Sequence, residues 1–269
     1  MTVMKRSLLP VLLLSTQWSG CDVMPPLQGL PDLSSMSATS TPNEPAKCAD
    51  QLRGLNTSQM ARTSGTKPSV DLLYWCTKAA EQGDAKSQFA LAGLYERGIG
   101  VPANPQEAVR WYKASANKGY AEAQFKVGQI YGRGEGVPQD KNEASRWYIK
   151  AAEQGHPEAQ YYMGYRYEHG KGITQNYAEA LRWYTKAAEQ GNASALDGLG
   201  GLYLAGHGVP QSQIDAYKWF NLAAASGKPE FIVARDKLAA KLTPAQLADG
   251  QKLASDWARL HPTGKAGNR

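Results

Sequence analysis

A period of 36 residues runs through the middle of this 269-residue chain and limits what it can fold into. Tryptophans and glycines keep that spacing without an insertion. The two series are Trp75, Trp111, Trp147, Trp183 and Trp219, and Gly83, Gly119, Gly155, Gly191 and Gly227. A repeat of this length is typical of solenoids, whose units bury a shared core only by stacking on one another. The spacing therefore predicts an array of similar units.

Each unit contains two apolar patterns of helical period, separated by glycines. We name the first predicted helix of a unit its A helix and the second its B helix. The predicted pairs are 85–97 with 105–118, 121–133 with 141–154, 157–169 with 177–190, and 193–205 with 213–226. At the start of each B helix, a polar residue is followed three positions later by an acidic one, as in a capping box. These leading residues are Asn104, Asp140, Asn176 and Ser212.

Side chains at fixed repeat positions are predicted to form the core. An apolar row begins at Leu91, and a tyrosine row begins at Tyr95. The tryptophans and the aromatic residue after each are expected to fill the seam between units. A row of small residues should let helices approach closely: Ala92, Gly128, Gly164 and Gly200.

The unit A-x-x-x-L-G-x-x-Y-x-x-G-x-G-V-x-x-N/D-x-x-E/A-A-x-x-W-Y-x-x-A-A-x-x-G is similar to the Sel-one-like repeat, a relative of the tetratricopeptide repeat. The four full copies cover 85–227, while 47–84 resembles a degenerate first repeat and 228–262 the closing helices of bacterial members. The resemblance implies an all-α, right-handed α/α solenoid that serves as an adaptor or scaffold, frequently in bacterial envelopes or at host contacts. A disordered tail is expected over 263–269.

Residues 1–20 have the pattern of an export signal. Lys5 and Arg6 precede an apolar run, Leu8–Leu14, that is too short to span a membrane. Ser19-Gly20-Cys21 resembles the bacterial lipobox, in which the cysteine becomes the lipidated first residue, although Trp18 stands where an aliphatic residue is usual. The sequence predicts lipidation of Cys21, with an ordinary cleaved secretory signal as the alternative.

The segment 21–46 is rich in Pro, Ser and Thr and lacks periodicity, so we predict a lipidated, disordered tether. Asp22, directly after the cysteine, resembles the signal that keeps enterobacterial lipoproteins on the inner membrane. The predicted location is the bacterial cell envelope, lipid-anchored and periplasm-facing, with the outer membrane also possible. Export favours a disulfide between Cys48 and Cys76, and two buried free thiols are the alternative.

No pattern in the sequence indicates a catalytic site, a cofactor or a metal. Gly134 and Gly136 follow a helix and not a strand, so they predict a turn and not a phosphate loop. Some cysteine-rich relatives in the family have been credited with β-lactamase activity. Two Ser-x-x-Lys matches, 64–67 and 115–118, lack the elements that accompany that motif in β-lactamases. A net charge of +6, spread evenly, does not favour nucleic acid as a partner.

The candidate partner site comes from variable positions on the A helices. Positions 86, 89, 90, 93 and 97 and their equivalents form one stripe at helical spacing, and the family resemblance implies that A helices line a concave groove. Aromatic and arginine side chains dominate interface energetics. The predicted partner-binding residues are Phe89, Arg97, Phe125, Lys126, Gln129, Arg133, Tyr161, Tyr162, Tyr165 and His169. For Phe89, Phe125 and Tyr161, packing inside the seam is the alternative.

These observations predict a non-enzymatic envelope adaptor that binds a protein or peptide partner and touches the membrane through its lipid anchor only. The alternatives are a glycan- or peptidoglycan-binding protein, a β-lactamase-like envelope protein and a secreted effector. Oligomeric state is not indicated by the sequence.

Overall fold

The computed structural model describes residues 44–53 and 70–262, and all regular secondary structure in these two ranges is α-helical. The twelve helices there are α1 (Glu44–Arg53), α2 (Val70–Glu81), α3 (Ala85–Arg97), α4 (Pro105–Asn117), α5 (Ala121–Arg133), α6 (Lys141–Glu153), α7 (Pro157–His169), α8 (Tyr177–Glu189), α9 (Ala193–Ala205), α10 (Gln213–Ala224), α11 (Pro229–Ala239) and α12 (Pro244–Leu260). The predicted all-α solenoid is confirmed.

Several predictions fall on residues outside the described ranges. They are the export signal, Cys21, the tether up to residue 43, the motif at 64–67 and the tail 263–269. The tether prediction is wrong at its end, because α1 begins at Glu44. The Glu44 side chain is buried and accepts a hydrogen bond from Gln82 Nε2, so the first helix starts where it can reach the end of the second.

The helices pack as a succession of hairpins. In each full unit the A helix packs on its own B helix, as α3 does on α4, and each B helix packs on the A helix of the next unit, as α4 does on α5. The A helices α7 and α9 also touch one another directly. At the C-terminal end both α11 and α12 pack on α10, so they cover the last unit, as a solenoid requires.

A close approach between helices occurs inside three of the units. A Cβ added to Gly128 would lie 2.7 Å from the Tyr148 ring, and one added to Gly164 would lie 2.5 Å from the Tyr184 ring. In the last unit, a Cβ added to Gly200 would lie 2.6 Å from the Phe220 ring. Real Cβ atoms do not approach other atoms this closely, so glycine is what allows the B-helix ring to lie against the A-helix backbone.

Glutamine side chains link consecutive units, which the sequence analysis did not predict. Each reaches from an A helix to a backbone carbonyl near the end of the preceding B helix. The bonds run from Gln88 Nε2 to Ala80 O (3.0 Å), Gln124 Nε2 to Ala116 O (3.2 Å) and Gln160 Nε2 to Ala152 O (3.1 Å). All three glutamines are buried, and each amide adds a second hydrogen bond to a carbonyl that already accepts one from the glycine amide at the end of the B helix.

The predicted caps form, but the predicted capping boxes do not. The side chains of Asn104, Asp140, Asn176 and Ser212 each accept a hydrogen bond from the amide three residues on. The following glutamates do not reach back to the caps. They pair with arginines one turn later, in Glu107 with Arg110, Glu143 with Arg146 and Glu179 with Arg182. An ion pair at i,i+3 is therefore preferred to the second cap bond.

The repeat tryptophans stabilise the fold through the area they bury and through cations that lie on the faces of their rings. Trp111 and Trp183 are almost fully buried, and within the described residues the Nε1 atoms of Trp111, Trp147, Trp183 and Trp219 have no hydrogen-bond acceptor. Cationic side chains lie over these rings, among them Lys150 at 4.2 Å from the Trp147 centroid and Lys218 at 4.0 Å from that of Trp219. The basic residues of the B helices thus cover the core as well as facing solvent.

A disulfide joins Cys48 in α1 to Cys76 in α2. Both cysteines are buried. The bond closes a loop with a sequence separation of 28 residues. In the chain-entropy description such a loop contributes about 3 to 4 kcal/mol to the free energy of unfolding. The bond therefore holds the first helix onto the array.

Two alanine substitutions test the close approach inside the units. Gly164→Ala should destabilise the protein by about 1 to 3 kcal/mol, because the new Cβ overlaps the Tyr184 ring. Gly201→Ala is the matched control, since it lies in the equivalent kind of helix with nothing within 4 Å of its Cβ position. It should stabilise by about 0.5 to 1 kcal/mol. Urea unfolding measures both, and equal effects would contradict the packing described.

Candidate partner-binding face

The ten predicted partner residues all lie on α3, α5 and α7. We call the surface formed by these residues and their equivalents on α9 the A-face. Phe89, Phe125 and Tyr161 occupy one repeat position, and in α9 that position holds Asp197. The next positions of α9 hold Gly198 and Gly201, so the aromatic character of the A-face ends with α7.

The rings of Phe89, Phe125 and Tyr161 lie half-buried, between the seam and solvent. The centroid of Phe89 is 5.3 Å from that of Tyr112 and 5.4 Å from that of Tyr120. Phe125 lies 5.6 Å from Tyr148 and Tyr161 lies 5.9 Å from Tyr184. Phe89, Phe125 and Tyr161 therefore each pack against a B-helix aromatic and also keep part of their surface open. Seam packing and exposure on the A-face coexist.

Five rings form a connected group across the second and third units, which we call the aromatic cluster: Phe125, Tyr148, Tyr161, Tyr162 and Tyr165. Tyr162 stacks on Tyr148 at 5.1 Å and stands 5.5 Å from Phe125. Tyr161 lies 5.5 Å from Tyr162 and 6.5 Å from Tyr165. Tyr148 is buried, while the other four members keep part of their surface in solvent. Their mutual contacts fix the exposed rings in place.

Cationic groups border the aromatic cluster. Lys171 Nζ lies 4.5 Å above the Tyr165 ring and donates to its hydroxyl, and the His169 ring lies against Tyr165 in a tilted arrangement, with the centroids 4.3 Å apart. Arg133 pairs with Glu135 at 3.2 Å. That hydrogen bond raises the pKa of Arg133, and the neighbouring Tyr162 hydroxyl adds to the effect.

The remaining predicted residues have more local roles. Arg97 is exposed and its Nε donates to Gly93 O at 3.1 Å, and Gln129 is half-buried on α5. Lys126 Nζ contacts Glu96 Oε1 at 2.7 Å. Burial alone raises the pKa of Glu96, but hydrogen bonds from Lys126 and Tyr112 outweigh it, and the pKa lies below its ordinary value. Lys126 is therefore held by an ion pair to the preceding unit.

The B-helix tyrosines send their hydroxyl groups to the A-face. Tyr112 Oη donates to Glu96 Oε2 at 2.8 Å, and Tyr184 Oη donates to Glu168 Oε2 at 2.7 Å. Burial, and then the bonded carboxylate, raise the pKa of both phenols. Burial also raises the pKa of Tyr148, to about 12, but the Arg166 guanidinium beside it acts in the opposite direction.

Arg166 is a buried cation on α7 that the sequence analysis missed. Its Nη1 donates to Lys141 O (2.9 Å), Ser145 Oγ (3.0 Å) and Lys171 O (2.7 Å). Burial lowers the pKa of Arg166, and the Tyr148 and Tyr162 hydroxyls oppose that shift. A signal existed, because the equivalent positions in the other units hold apolar residues: Leu94, Ile130 and Leu202.

Three observations on the described residues concern the Ser-x-x-Lys match, metal ligands and membrane-spanning helices. Ser115, in the second Ser-x-x-Lys match, is fully buried and donates to Ala85 O at 2.6 Å, so this hydroxyl has a structural role. Within 44–53 and 70–262 no three His, Cys, Asp or Glu side chains are grouped so that they could bind a metal ion. In the same ranges no helix combines the length and apolar character needed to cross a bilayer.

Comparison with known protein families identifies the type of repeat. The Sel1 repeat model matches residues 73–84, 85–120, 121–156, 157–192 and 193–228. A comparison with curated protein sequences gave no match.

Two solved structures are similar over most of the chain. One is c5321, a protective antigen present in uropathogenic Escherichia coli strains that displays an SLR fold. It is 32% identical with a TM-score of 0.66, over 80% of this chain and 48% of that one. The other, a Sel1 repeat protein from Oxalobacter formigenes, is 38% identical with a TM-score of 0.57, over 62% of this chain and 49% of that one. The present chain thus matches about half the length of each.

The half-buried carboxyl of Asp197 generates a prediction about pH. Burial first, and then Glu168 and Glu230, raise its pKa above 3.8. The folded protein therefore binds this proton more tightly than the unfolded chain does, and protonation contributes to stability. That contribution to stability is present below 3.8 and is lost as the pH rises through the folded-state pKa. Asp197→Asn should therefore be more stable than the wild type at neutral pH. Thermal unfolding below pH 3.8 should show no difference, and a variant that is less stable at neutral pH would contradict the assignment.

Proposed function

The chain belongs to the Sel1 repeat family, whose members are generally protein-interaction scaffolds, and from this we propose that it is a non-enzymatic adaptor that binds a protein or peptide partner on its A-face. The observation that carries this proposal is the aromatic cluster. It joins two units through ring contacts and keeps Phe125, Tyr161, Tyr162 and Tyr165 partly open to solvent.

The cluster has the physical properties of a binding hot spot. Tyrosine rings bury a large area at a small cost in side-chain entropy, and hot spots are enriched in Tyr and Arg. Here the rings stand on helices and are fixed by one another, so little ordering remains to be done when a partner binds. Lys171 and Arg133 give the cluster a cationic border, and His169 adds a polar ring to it.

We further propose that the chain works in a bacterial cell envelope, lipid-anchored through Cys21 and facing the periplasm. Two observations support this. The first 21 residues have the lipobox-like pattern described above. The disulfide between Cys48 and Cys76 belongs to an oxidising compartment, since cytosolic thiols are kept reduced.

Binding at the A-face is tested with the double variant Tyr162→Ala, Tyr165→Ala. A partner captured by the immobilised full-length protein from an envelope extract is identified, and its affinity is then measured with purified components. The double variant should bind at least about 30-fold more weakly, which corresponds to about 2 kcal/mol lost from two hot-spot rings.

Tyr177→Ala provides the matched control. Tyr177 begins α8, a B helix, and its ring stacks on His207, which is not a member of the aromatic cluster, so its removal should leave the affinity unchanged. Equal affinity of the double variant and the wild type would remove the A-face from the proposal. If muropeptides bind and proteins do not, the adaptor function itself is wrong.

The envelope location predicts two chemical properties of the protein made in a bacterial host. Labelled palmitate should be incorporated into the wild type and not into Cys21→Ser, because the thioether cysteine carries the lipid in lipoproteins. In denaturant, which exposes the two buried side chains, Cys48 and Cys76 should react with a maleimide only after reduction. A wild-type protein without lipid, recovered from the cytosol with both thiols free, would refute the envelope role.

A further inference from the structure

The repeat units can be compared with one another at the position where the B-helix ring meets the end of the A helix. In the first unit this pair is Tyr112 with Glu96, and in the third it is Tyr184 with Glu168, and each phenol donates to its carboxylate. In the fourth unit Phe220 has no hydroxyl group, and the partner position holds Leu204. In these three units the A-helix residue therefore matches the polarity of the ring: a carboxylate faces each phenol, and an apolar side chain occupies the position beside the phenylalanine.

The second unit departs from this rule. Tyr148 has a hydroxyl group, but the equivalent A-helix position holds Gly132 and supplies no carboxylate. A Cβ built on Gly132 would stand 3.6 Å from Tyr148 Oη and 3.5 Å from Arg166 Nη2, both ordinary contact distances. The place of the absent side chain is therefore bordered by a phenol and a guanidinium.

A buried positive charge, the Arg166 guanidinium, lies beside Gly132. Arg166 is 7% exposed, and no carboxylate among the described residues forms an ion pair with it. Its Nη1 bonds and its hydrogen bond with the Tyr148 hydroxyl reach only carbonyl and hydroxyl oxygens, none of which carries a formal negative charge. The Arg133 guanidinium and the Tyr162 hydroxyl are close enough to influence the pKa values of Tyr148 and Arg133, and Arg133 is itself paired with Glu135. A buried cation without a counter-ion is costly, so an anion at this position is favoured.

We propose that the site beside Gly132 binds a carboxylate side chain, Asp or Glu, of the peptide partner. The carboxylate takes the place that Glu96 and Glu168 fill in the neighbouring units and accepts hydrogen bonds from Tyr148 Oη and Arg166 Nη2. The inference rests on the proposed function, since it names the chemistry of the partner at the A-face. Residues of the partner next to this acid then lie on the exposed rings of Tyr162 and Phe125.

A carboxylate suits the site better than a larger anion. The neighbouring units show that one carboxylate satisfies the phenol and still accepts a second donor, because Glu96 binds both Tyr112 and Lys126. Arg166 offers the planar donors that pair well with carboxylates. The partner segment is therefore acidic at one position and apolar or aromatic beside it.

Three variants of the full chain make the proposal testable. Gly132→Glu should supply the carboxylate from within, as in the first and third units, and so block the site. Gly132→Ala is the matched control, because its Cβ fits and adds no charge. Arg166→Leu installs the residue that units one and four carry at this position and removes the cation.

The first measurement uses sodium acetate as the probe. Backbone amide resonances of Ser145 and Lys171, both bonded to Arg166, are followed during titration at constant ionic strength. Saturable shifts are expected in the wild type and in Gly132→Ala, and none in Gly132→Glu or Arg166→Leu. Gly132→Glu should also unfold at a higher temperature than Gly132→Ala. An absence of saturable shifts in the wild type would overturn the proposal, whether or not the protein binds peptides.

The second measurement selects binders from a random dodecapeptide display library on the wild-type protein. Selected peptides should contain Asp or Glu, and replacing that residue with Asn or Gln should weaken binding about tenfold or more, as loss of a charge-assisted bond implies. The replacement should have no effect on binding to Arg166→Leu. If peptides bind at the aromatic cluster and tolerate the replacement, the carboxylate inference is wrong and the proposed function stands. If the library yields no binder, the proposed function is weakened, and the acetate titration alone decides the site.

Discussion

The structure depends on an aromatic ring from each B helix that lies against a glycine or alanine backbone of its own A helix. Because the rings of Tyr148 and Phe220 occupy the space that a Cβ would take on Gly128 and Gly200, the two helices of each such unit lie closer together than a larger side chain would allow. Hairpins that share this contact can stack with one period. The same packing carries the hydroxyl of Tyr148 toward the A-face, so the core also determines which polar atoms border the binding surface.

Most of the fold could be predicted because each signal recurs at every unit. The helix ends agree with prediction within two residues, since glycines such as Gly98 and Gly134 stop the A helices at φ values of 68° and 76°. Features that depend on which of two interactions of similar energy a side chain forms were not predictable. Glu107 pairs with Arg110 and not with its cap, and the start of α1 at Glu44 depends on a contact with Gln82.

The candidate site was predictable in position and not in detail. Helical spacing placed all ten residues on A helices, but the burial of Phe89 and Phe125 depends on where the rings of the B helices lie. Arg166 was not predicted, because its repeat position belongs neither to the variable stripe of the A helices nor to the rows predicted to form the core. A charged residue in an otherwise apolar row is informative, since burial of a charge is costly unless the site has a use for it.

In a repeat protein, equivalent positions in other units serve as an internal control for each departure. Gly132 removes a carboxylate and Arg166, from the next unit, adds a cation against the same phenol, Tyr148. Arg166 gives the Tyr148 hydroxyl a hydrogen-bond partner where the carboxylate is missing, but it leaves an electrostatic imbalance, a buried positive charge with no carboxylate paired to it. The fourth unit shows that the chain has another solution, because Phe220 with Leu204 removes both polar groups at once. The imbalance is therefore confined to the second and third units, where the aromatic cluster also lies, and one bound segment could contact both.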